Sequence, residues 1–535
     1  MKKLLSFAAA LMLTVTMFAG GLVTNTNQSA AWVRLPARDA STSIDATYFN
    51  PAGLMKLENG FHFSISNQSI WQNKSVTSSY ANLNESLYEG TVAAPLFPTV
   101  FAVYKMDKLA FSFGFNPVGG GGGAIFEDGL PSFDMGPSDL VLALDPLGAT
   151  EYSLNSYFEG SSIFFGYQGG VSYKINDMIS VFAGARYVTA TNTYDGYLND
   201  IEVNMNKGLL PVGTDNWMRA DDVINGIAAG LTEAGDGVQE LIDGGVGGIT
   251  IPNAETAGII PAETSAQLQG ALMALGLSQD DINVLSINNA QATYYGGAHS
   301  YANTATLLGD QSAKTEQTAT GITPIIGVNI SPSENLNIGL KYEFATELEF
   351  TNSTADEIMT GFEDDGVTPI TLFPDGATFR GDMPAMLSVG VDYQITESLG
   401  ASFGTHYYFD KDSNYGKKID DVYVANEEVI DNNFFELAAG LEYGLGEKVL
   451  LSTGFLYAKT GVNNDYQSDL SYSLTSSTIG VGGAYKISNK MLLNLGFGYT
   501  MYEDGVASLT HNFVAVNENY TKSNLIVSVG LDFSF

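Results

Sequence analysis

The sequence predicts an all-β protein: a transmembrane antiparallel β-barrel of about fourteen strands, plugged by an N-terminal hatch and bearing a partly helical extracellular insertion. Three observations lead there. The chain begins with an export signal. Its body alternates apolar and polar residues with period 2 over strands of about 10 to 16 residues, longer than the ~5–6 usual in soluble sheets. Its connections alternate between short and long, as in outer-membrane barrels with short periplasmic turns and long outer loops.

The export signal is Lys2 and Lys3 followed by an apolar run, Leu4 to Val23, with small residues Ala19 and Gly20 near a cleavage point. Residues 1–20 are therefore read as a signal peptide. An uncleaved anchor is the alternative, since about 20 apolar residues can span a bilayer, but no basic stop-transfer flank follows. Past Val23 no run is long and apolar enough for a membrane helix.

Alternation is clearest in the last strand. Leu525, Val527, Val529, Leu531, Phe533 and Phe535 share one face; Asn524, Ser528, Gly530, Asp532 and Ser534 share the other, interrupted only by Ile526. Segments 335–345 and 435–445 repeat the pattern. In a sandwich the apolar face would point to a core, whereas in a membrane barrel it points to lipid. Turns at 106–108, 176–178, 331–334, 396–397, 446–448 and 488–490 place strands near 60–72, 96–106, 108–117, 160–175, 179–193, 315–331, 335–351, 377–395, 398–410, 431–446, 448–459, 473–487, 490–502 and 521–535.

Composition narrows the function classes. The net charge of −36 excludes a nucleic-acid partner, because phosphate binding needs clustered cations. The absence of Cys excludes a disulfide scaffold, thiolate metal ligation and a Cys nucleophile. A hydrophobic fraction of 45% excludes a disordered chain.

Two segments lie outside the strand pattern. Residues 21–58 are rich in Asn, Thr, Ala and Asp, too polar to cross lipid. A barrel of this size encloses more space than its wall side chains fill, so the segment is read as a plug, with a loose periplasmic leader as the alternative. Residues 194–313 form the largest insertion within the barrel region, 59–535. Val223, Ile224, Ile227 and Leu231, then Val238, Leu241 and Ile242, and after Pro261 the series Leu268, Leu272, Leu275, Ile282 and Leu285 have amphipathic helical spacing. These faces pack on each other as an extracellular cap, offer a docking surface for a hydrophobic ligand, or do both.

Directly before the first strand stand Ala37-Arg38-Asp39-Ala40-Ser41 and Tyr48-Phe49-Asn50-Pro51-Ala52-Gly53-Leu54. With Pro98-Thr99 opening strand two, Met383-Pro384-Ala385 in strand eight and the terminal Phe535, the chain resembles the FadL/TodX family of outer-membrane hydrophobic-compound transporters over nearly its whole mature length. The resemblance implies a multi-pass protein of the bacterial outer membrane and passive uptake of hydrophobic small molecules, foremost long-chain fatty acids or aromatic hydrocarbons. It implies capture at extracellular loops, hatch rearrangement, and lateral release through a kink in strand three into the outer-membrane lipids. It favours a monomer. The large insertion departs from the family pattern, so no substrate-binding residue is transferred by position.

Asn50, Pro51 and Ala52 form the hatch motif: Pro fixes its own φ and restricts its predecessor, and Asn can close a turn on its own backbone. Asn116, Pro117 and Gly119 mark a candidate lateral gate in strand three. Pro removes a ladder donor and Gly offers no side chain, so pairing should fail there, unless the strand merely ends. No Lys-Ser/Thr follows the glycines up to Gly123, which argues against a phosphate loop. By parity the lumen carries Lys174, Arg186, Lys341, Glu343, Asp392, His406, Glu442 and Lys486, either as structural ion pairs or as partners for a ligand carboxylate. The acidic stretches 363–365 and 410–421 are read as a solvated surface, with bridging divalent cations as the alternative. No catalytic residue, cofactor or metal site is expected. Four His, none in a Gly-x-Ser-x-Gly or His-Glu-x-x-His context, speak against an outer-membrane lipid hydrolase. A general porin for hydrophilic solutes is the main alternative, and a plug would argue against it. A purely structural or adhesive barrel is the last.

Overall fold

The computed structural model describes residues 24–121, 123–207, 215–415, 418–419 and 422–535; the predicted signal segment lies outside them. Fourteen antiparallel strands close on themselves. They are β1 (Gly60–Ser78), β2 (Leu87–Met106), β3 (Leu109–Gly119, resuming at Ala124–Phe126), β4 (Glu151–Lys174), β5 (Ile179–Asn204), β6 (Gln311–Ser333), β7 (Leu336–Glu343, resuming at Glu349–Asp356) and β8 (Thr378–Arg380, resuming at Met386–Gln394). There follow β9 (Leu399–Tyr408), β10 (Phe435–Leu445), β11 (Val449–Lys459), β12 (Ser476–Ser488), β13 (Met491–Tyr502, continuing at Gly505–His511) and β14 (Val514–Ser534). β14 pairs with β1 from Ser534↔His62 to Glu518↔Ser78, so first and last strands meet and the sheet closes.

Side-chain parity settles what the barrel faces. Ile65, Phe111, Phe113, Phe403, Leu441, Phe455, Phe497, Val527 and Val529 are exposed on the outside, while the polar partners in each strand point inward. An exposed apolar band on a closed barrel is the surface of a membrane-spanning protein. Among the described residues no helix is long and apolar enough to cross a membrane; the crossing elements are the strands. Ile526, the one break in the alternation of β14, is buried in an interior cluster with Trp32 and Val33.

Several strands differ from the sequence reading. β4 and β5 extend well beyond 160–175 and 179–193, to Glu151 and Asn204. In these extensions Phe158, Tyr194 and Leu198 turn inward into a shared cluster. Beyond the lipid the outer face no longer has to be apolar, so alternation sought for lipid contact stops short. β2 starts at Leu87 rather than near 96 and passes through Pro95 and Pro98; its pairing with β1 shifts register between Gln68 and Ile70. The seventh and eighth strands are not continuous. Both break around an isolated bridge, Thr346↔Met383, and Met383-Pro384-Ala385 lies in the break because Pro384 cannot donate to a ladder.

The α-helices among the described residues are α1 (Ala30–Arg34) and α2 (Ala46–Phe49) before the barrel, α3 (Pro131–Leu144) between β3 and β4, α4 (Ala220–Gly237), α5 (Gln239–Asp243), α6 (Ile251–Thr256), α7 (Ala262–Ala274), α8 (Gln279–Val284) and α9 (Ile287–Leu307) between β5 and β6, and α10 (Asn426–Val429) between β9 and β10. Ile224, Leu231, Val238, Leu268, Leu272, Leu275 and Ile282 are buried in one core with Tyr294 of α9. The insertion helices thus bury these apolar faces against each other, while Ile259, Met273 and Val284 stay exposed. Leu140 and Leu144 of α3 join the same core. This helix is absent from the sequence reading because Gly136 and Pro137 stand in its middle.

Candidate functional site

The segment before β1 lies inside the barrel. From Thr26 to Met55 only Thr42 and Ser43 are not buried. Its backbone is held by wall side chains: Gln168 Nε2 donates to Thr47 O (2.5 Å), Ser172 Oγ to Pro51 O (2.6 Å), Ser180 Oγ to Ala52 O (2.7 Å) and Asn337 Nδ2 to Ala40 O (2.8 Å). Glycines make room for it. A Cβ on Gly390 would stand 2.5 Å from Ala40 N and from Asp39 Cβ. Gly390→Val is therefore expected to displace the segment, and a rise in small-ion conductance of the purified barrel in planar bilayers would register it; unchanged conductance would refute the fit.

Its charges are tied to the wall as well. Arg34 pairs with Glu442 and donates to Ser452 Oγ at 2.6 Å. His406 bridges Asp39 and Glu436 at 2.5 Å each. Arg186 forms a two-pronged pair with Glu343 (2.7 and 2.9 Å), and Lys341 reaches the same carboxylate at 2.6 Å. The Tyr48 ring lies 5.0 Å from the Arg186 guanidinium and 4.8 Å from the Lys341 ammonium, near enough for cation–π attraction. Of the charges placed in the lumen by parity, Arg186, Lys341, Glu343, His406 and Glu442 meet each other or the segment. Lys174 instead pairs with exposed Asp177 at a turn, and Lys486 is exposed.

Within the segment Arg38 pairs with Asp45 at 2.8 and 2.9 Å, and Ser41 Oγ donates to the same carboxylate at 2.6 Å. Burial alone would raise the Asp45 pKa; the Arg38 charge and the hydrogen bonds from Arg38 and Ser41 outweigh it and lower it. A lowered carboxylate pKa gives stability that is present above the unfolded value of about 3.9 and lost as pH falls through the folded one. Acid unfolding of the segment is thus expected only below about pH 4. Limited proteolysis from pH 7 to 3 tests this; release at pH 5 would refute it.

The hatch motif has a different job from the one its local chemistry suggests. Asn50 is extended (φ −155°) at the end of α2, and Pro51 begins a 3₁₀ helix to Lys56. The Asn50 side chain does not close a turn: its Nδ2 donates to Val328 O of β6 at 2.9 Å. Ala52 is fully buried with Phe182 and Ile325.

The strand-three motif lies at an opening in the wall. β3 pairs with β2 only from Leu109 to Phe115 and again at Ile125–Phe126. Between these, β2 from Val92 to Thr99 has no strand partner on that side among the described residues, and the pairing of β3 with β4 shifts register between Pro117 and Gly119. The strand does not simply end there, since it resumes beyond the glycines. Pro95, Pro98 and Pro117 remove backbone donors from this stretch, and an unpaired donor facing lipid costs several kcal/mol. Asn116 Nδ2 donates to Gln28 Oε1 at 2.8 Å, Asn25 N to Val118 O at 2.9 Å, and Thr24 bridges Gly119.

Behind the opening is a cavity of about 500 Å³, within the ~300–1,000 Å³ typical of small-molecule sites. Thr24 and Asn27 line it from the interior segment, Ala94 and Gly121 from the two sides of the opening. Two lining residues, Lys74 of β1 and Lys522 of β14, were missed by the sequence reading. Lys522 shares parity with Asn524 and Ser528, which was the available signal; Lys74 lies past 72, where the first strand was ended. Among the described residues no group of three or more His, Asp or Glu is placed to hold a metal ion; residues 416–417 and 420–421 of the second acidic stretch lie outside them. Asp365 closes its own turn on Val367 N, Thr368 N and Thr368 Oγ1, and these bonds hold its pKa down at about 2.

No protein-family model and no curated protein matches the chain. Solved structures do. A Pseudomonas aeruginosa FadL homologue aligns with a TM-score of 0.56 at 13% identity, over 96% of this chain and 99% of that one. A TodX variant, described as a monoaromatic hydrocarbon channel, aligns with a TM-score of 0.50 at 13% identity, over 96% and 100%. Together with the apolar outer band, these matches establish a multi-pass outer-membrane barrel with the FadL/TodX fold.

Proposed function

We propose that the barrel is a passive channel for hydrophobic small molecules, with long-chain fatty acids as the leading class. The observation that carries this reading is the cavity lying between the interior segment and the opening beside β3. The segment acts as a hatch. Thr24 and Asn25 are paired with the edge of the opening, so moving them would join cavity and opening. A ligand leaving sideways enters lipid without crossing water, and each CH₂ kept out of water is worth about 0.8 kcal/mol. No energy source is needed. The fold is shared with a FadL homologue and a monoaromatic hydrocarbon channel, which supports transport over catalysis. A porin is disfavoured because the hatch occupies the axial path.

The test is uptake of labelled palmitate and of toluene by cells with and without the protein, with a small sugar as control. Protein-dependent uptake of either apolar compound without sugar entry is expected. A sugar leak would move the reading to a porin, and no dependence for either compound would end it.

A further inference from the structure

Lys74 and Lys522 are directly opposite each other in the β1–β14 register, and both line the cavity. Like charges placed directly across two strands repel. Four deeply buried cations inside the barrel have carboxylates: Arg34 has Glu442, Arg38 has Asp45, and Arg186 and Lys341 share Glu343, while buried Lys105 donates to Asn59 Oδ1. Among the described residues these two lysines have none within ion-pair distance. Their ammoniums lie over aromatic rings instead, Lys74 Nζ 5.9 Å from the centroid of Tyr472 and Lys522 Nζ 4.8 Å from that of Tyr502. A ring face attracts a cation but does not neutralise it. The acids that share the cavity wall are engaged elsewhere. Glu436 holds His406 and Tyr408, Asp469 accepts from Ser132 N, and Glu159 accepts from Tyr157.

The pair also has a defined place. Lys74 is opposite Gly90 of β2, and Gly90 pairs with Phe126, one rung before Thr91↔Ile125 at the edge of the wall opening. From there Val92, Ile70 and Phe97 give the cavity wall apolar side chains among polar ones. Two cations beside these apolar side chains suit an anionic head on an alkyl tail. A carboxylate offers two oxygens, one for each ammonium.

We propose that Lys74 and Lys522 form a headgroup site for alkyl carboxylates, which holds the head at the upper edge of the wall opening with the tail directed along it. The inference rests on the channel reading above and sharpens it: the barrel selects carboxylates over neutral hydrocarbons of the same length. The test is equilibrium binding of palmitate, hexadecanol and hexadecyl phosphate to the full barrel in a neutral detergent. Lys74→Gln and Lys522→Gln are each expected to weaken palmitate about tenfold, the loss of one charge-assisted hydrogen bond. Hexadecanol binding should not change, and Lys74→Arg should keep palmitate affinity. The ligand-free double Gln variant should unfold no earlier than the parent, since a repulsion has been removed. Palmitate binding within twofold of the parent in the double variant would overturn the site, and hexadecyl phosphate binding as tightly as palmitate would overturn the carboxylate assignment. If the parent binds none of the three, the channel reading itself fails, which is a separate outcome.

Discussion

Tying β2 to β3 across the wall opening is expected to reduce uptake to background while leaving the barrel folded and closed to sugars. Ala94 and Gly121 face the same cavity from the two sides of the opening, and the strands carrying them have no ladder hydrogen bonds between them there. The chain has no Cys, so Ala94→Cys with Gly121→Cys introduces the only two thiols. A short, cleavable bis-thiol reagent would then bridge the opening, and reduction of the bridge should restore uptake. The unbridged double variant serves as the reference and should transport like the parent, because Ala94 keeps its backbone pairing with Ile70 and Cys adds only a small side chain at each position. Quantitative bridging with uptake unchanged would refute lateral exit and leave an axial route past the hatch.

Replacing Glu343 with Gln should produce the largest loss of stability of any single change in the lumen. Its carboxylate is the shared acceptor for Arg186 and Lys341, and all three side chains are nearly inaccessible. Removing the anion leaves two buried cations facing one another, and breaking a buried pair in this way costs about 3–5 kcal/mol. The two cations also sit against Tyr48, and Lys341 donates to Tyr48 O at 2.9 Å, so the hatch loses an anchor together with the wall. A lowered unfolding temperature in detergent and earlier proteolysis near Tyr48 are the expected readings. Glu343→Gln with Lys341→Met should recover part of the loss by removing one of the orphaned cations. An unfolding temperature equal to the parent's would show that the triad does not hold hatch to wall.

Alternation along β1, β9 to β14 and the central parts of β4 to β6 was legible in the sequence because lipid enforces it: each outward position must be apolar whatever it packs against. The same rule made Arg186, Glu343 and His406 readable as lumen residues by parity. It failed where the wall leaves the lipid, in the outer halves of β4 and β5. It also failed where backbone pairing, not side-chain polarity, decides the structure, as in the breaks of β7 and β8. Asn50-Pro51-Ala52 could be recognised as a corner, but not as an anchor, because its partner Val328 is 278 positions away.

By itself, then, the sequence determined the barrel, its inside and outside, and the presence of a polar segment with no place in lipid. Those are one-dimensional consequences of a two-sided solvent. Only the tertiary structure decided that β2 and β3 part company between Val92 and Thr99, that Thr24 and Asn25 lie against the edge of that opening, and that Lys74 and Lys522 stand opposite each other above it. Each depends on strand register and on which chain segments meet inside a closed wall. Pairing across a barrel is set by geometry summed around the whole ring, and no local pattern records it.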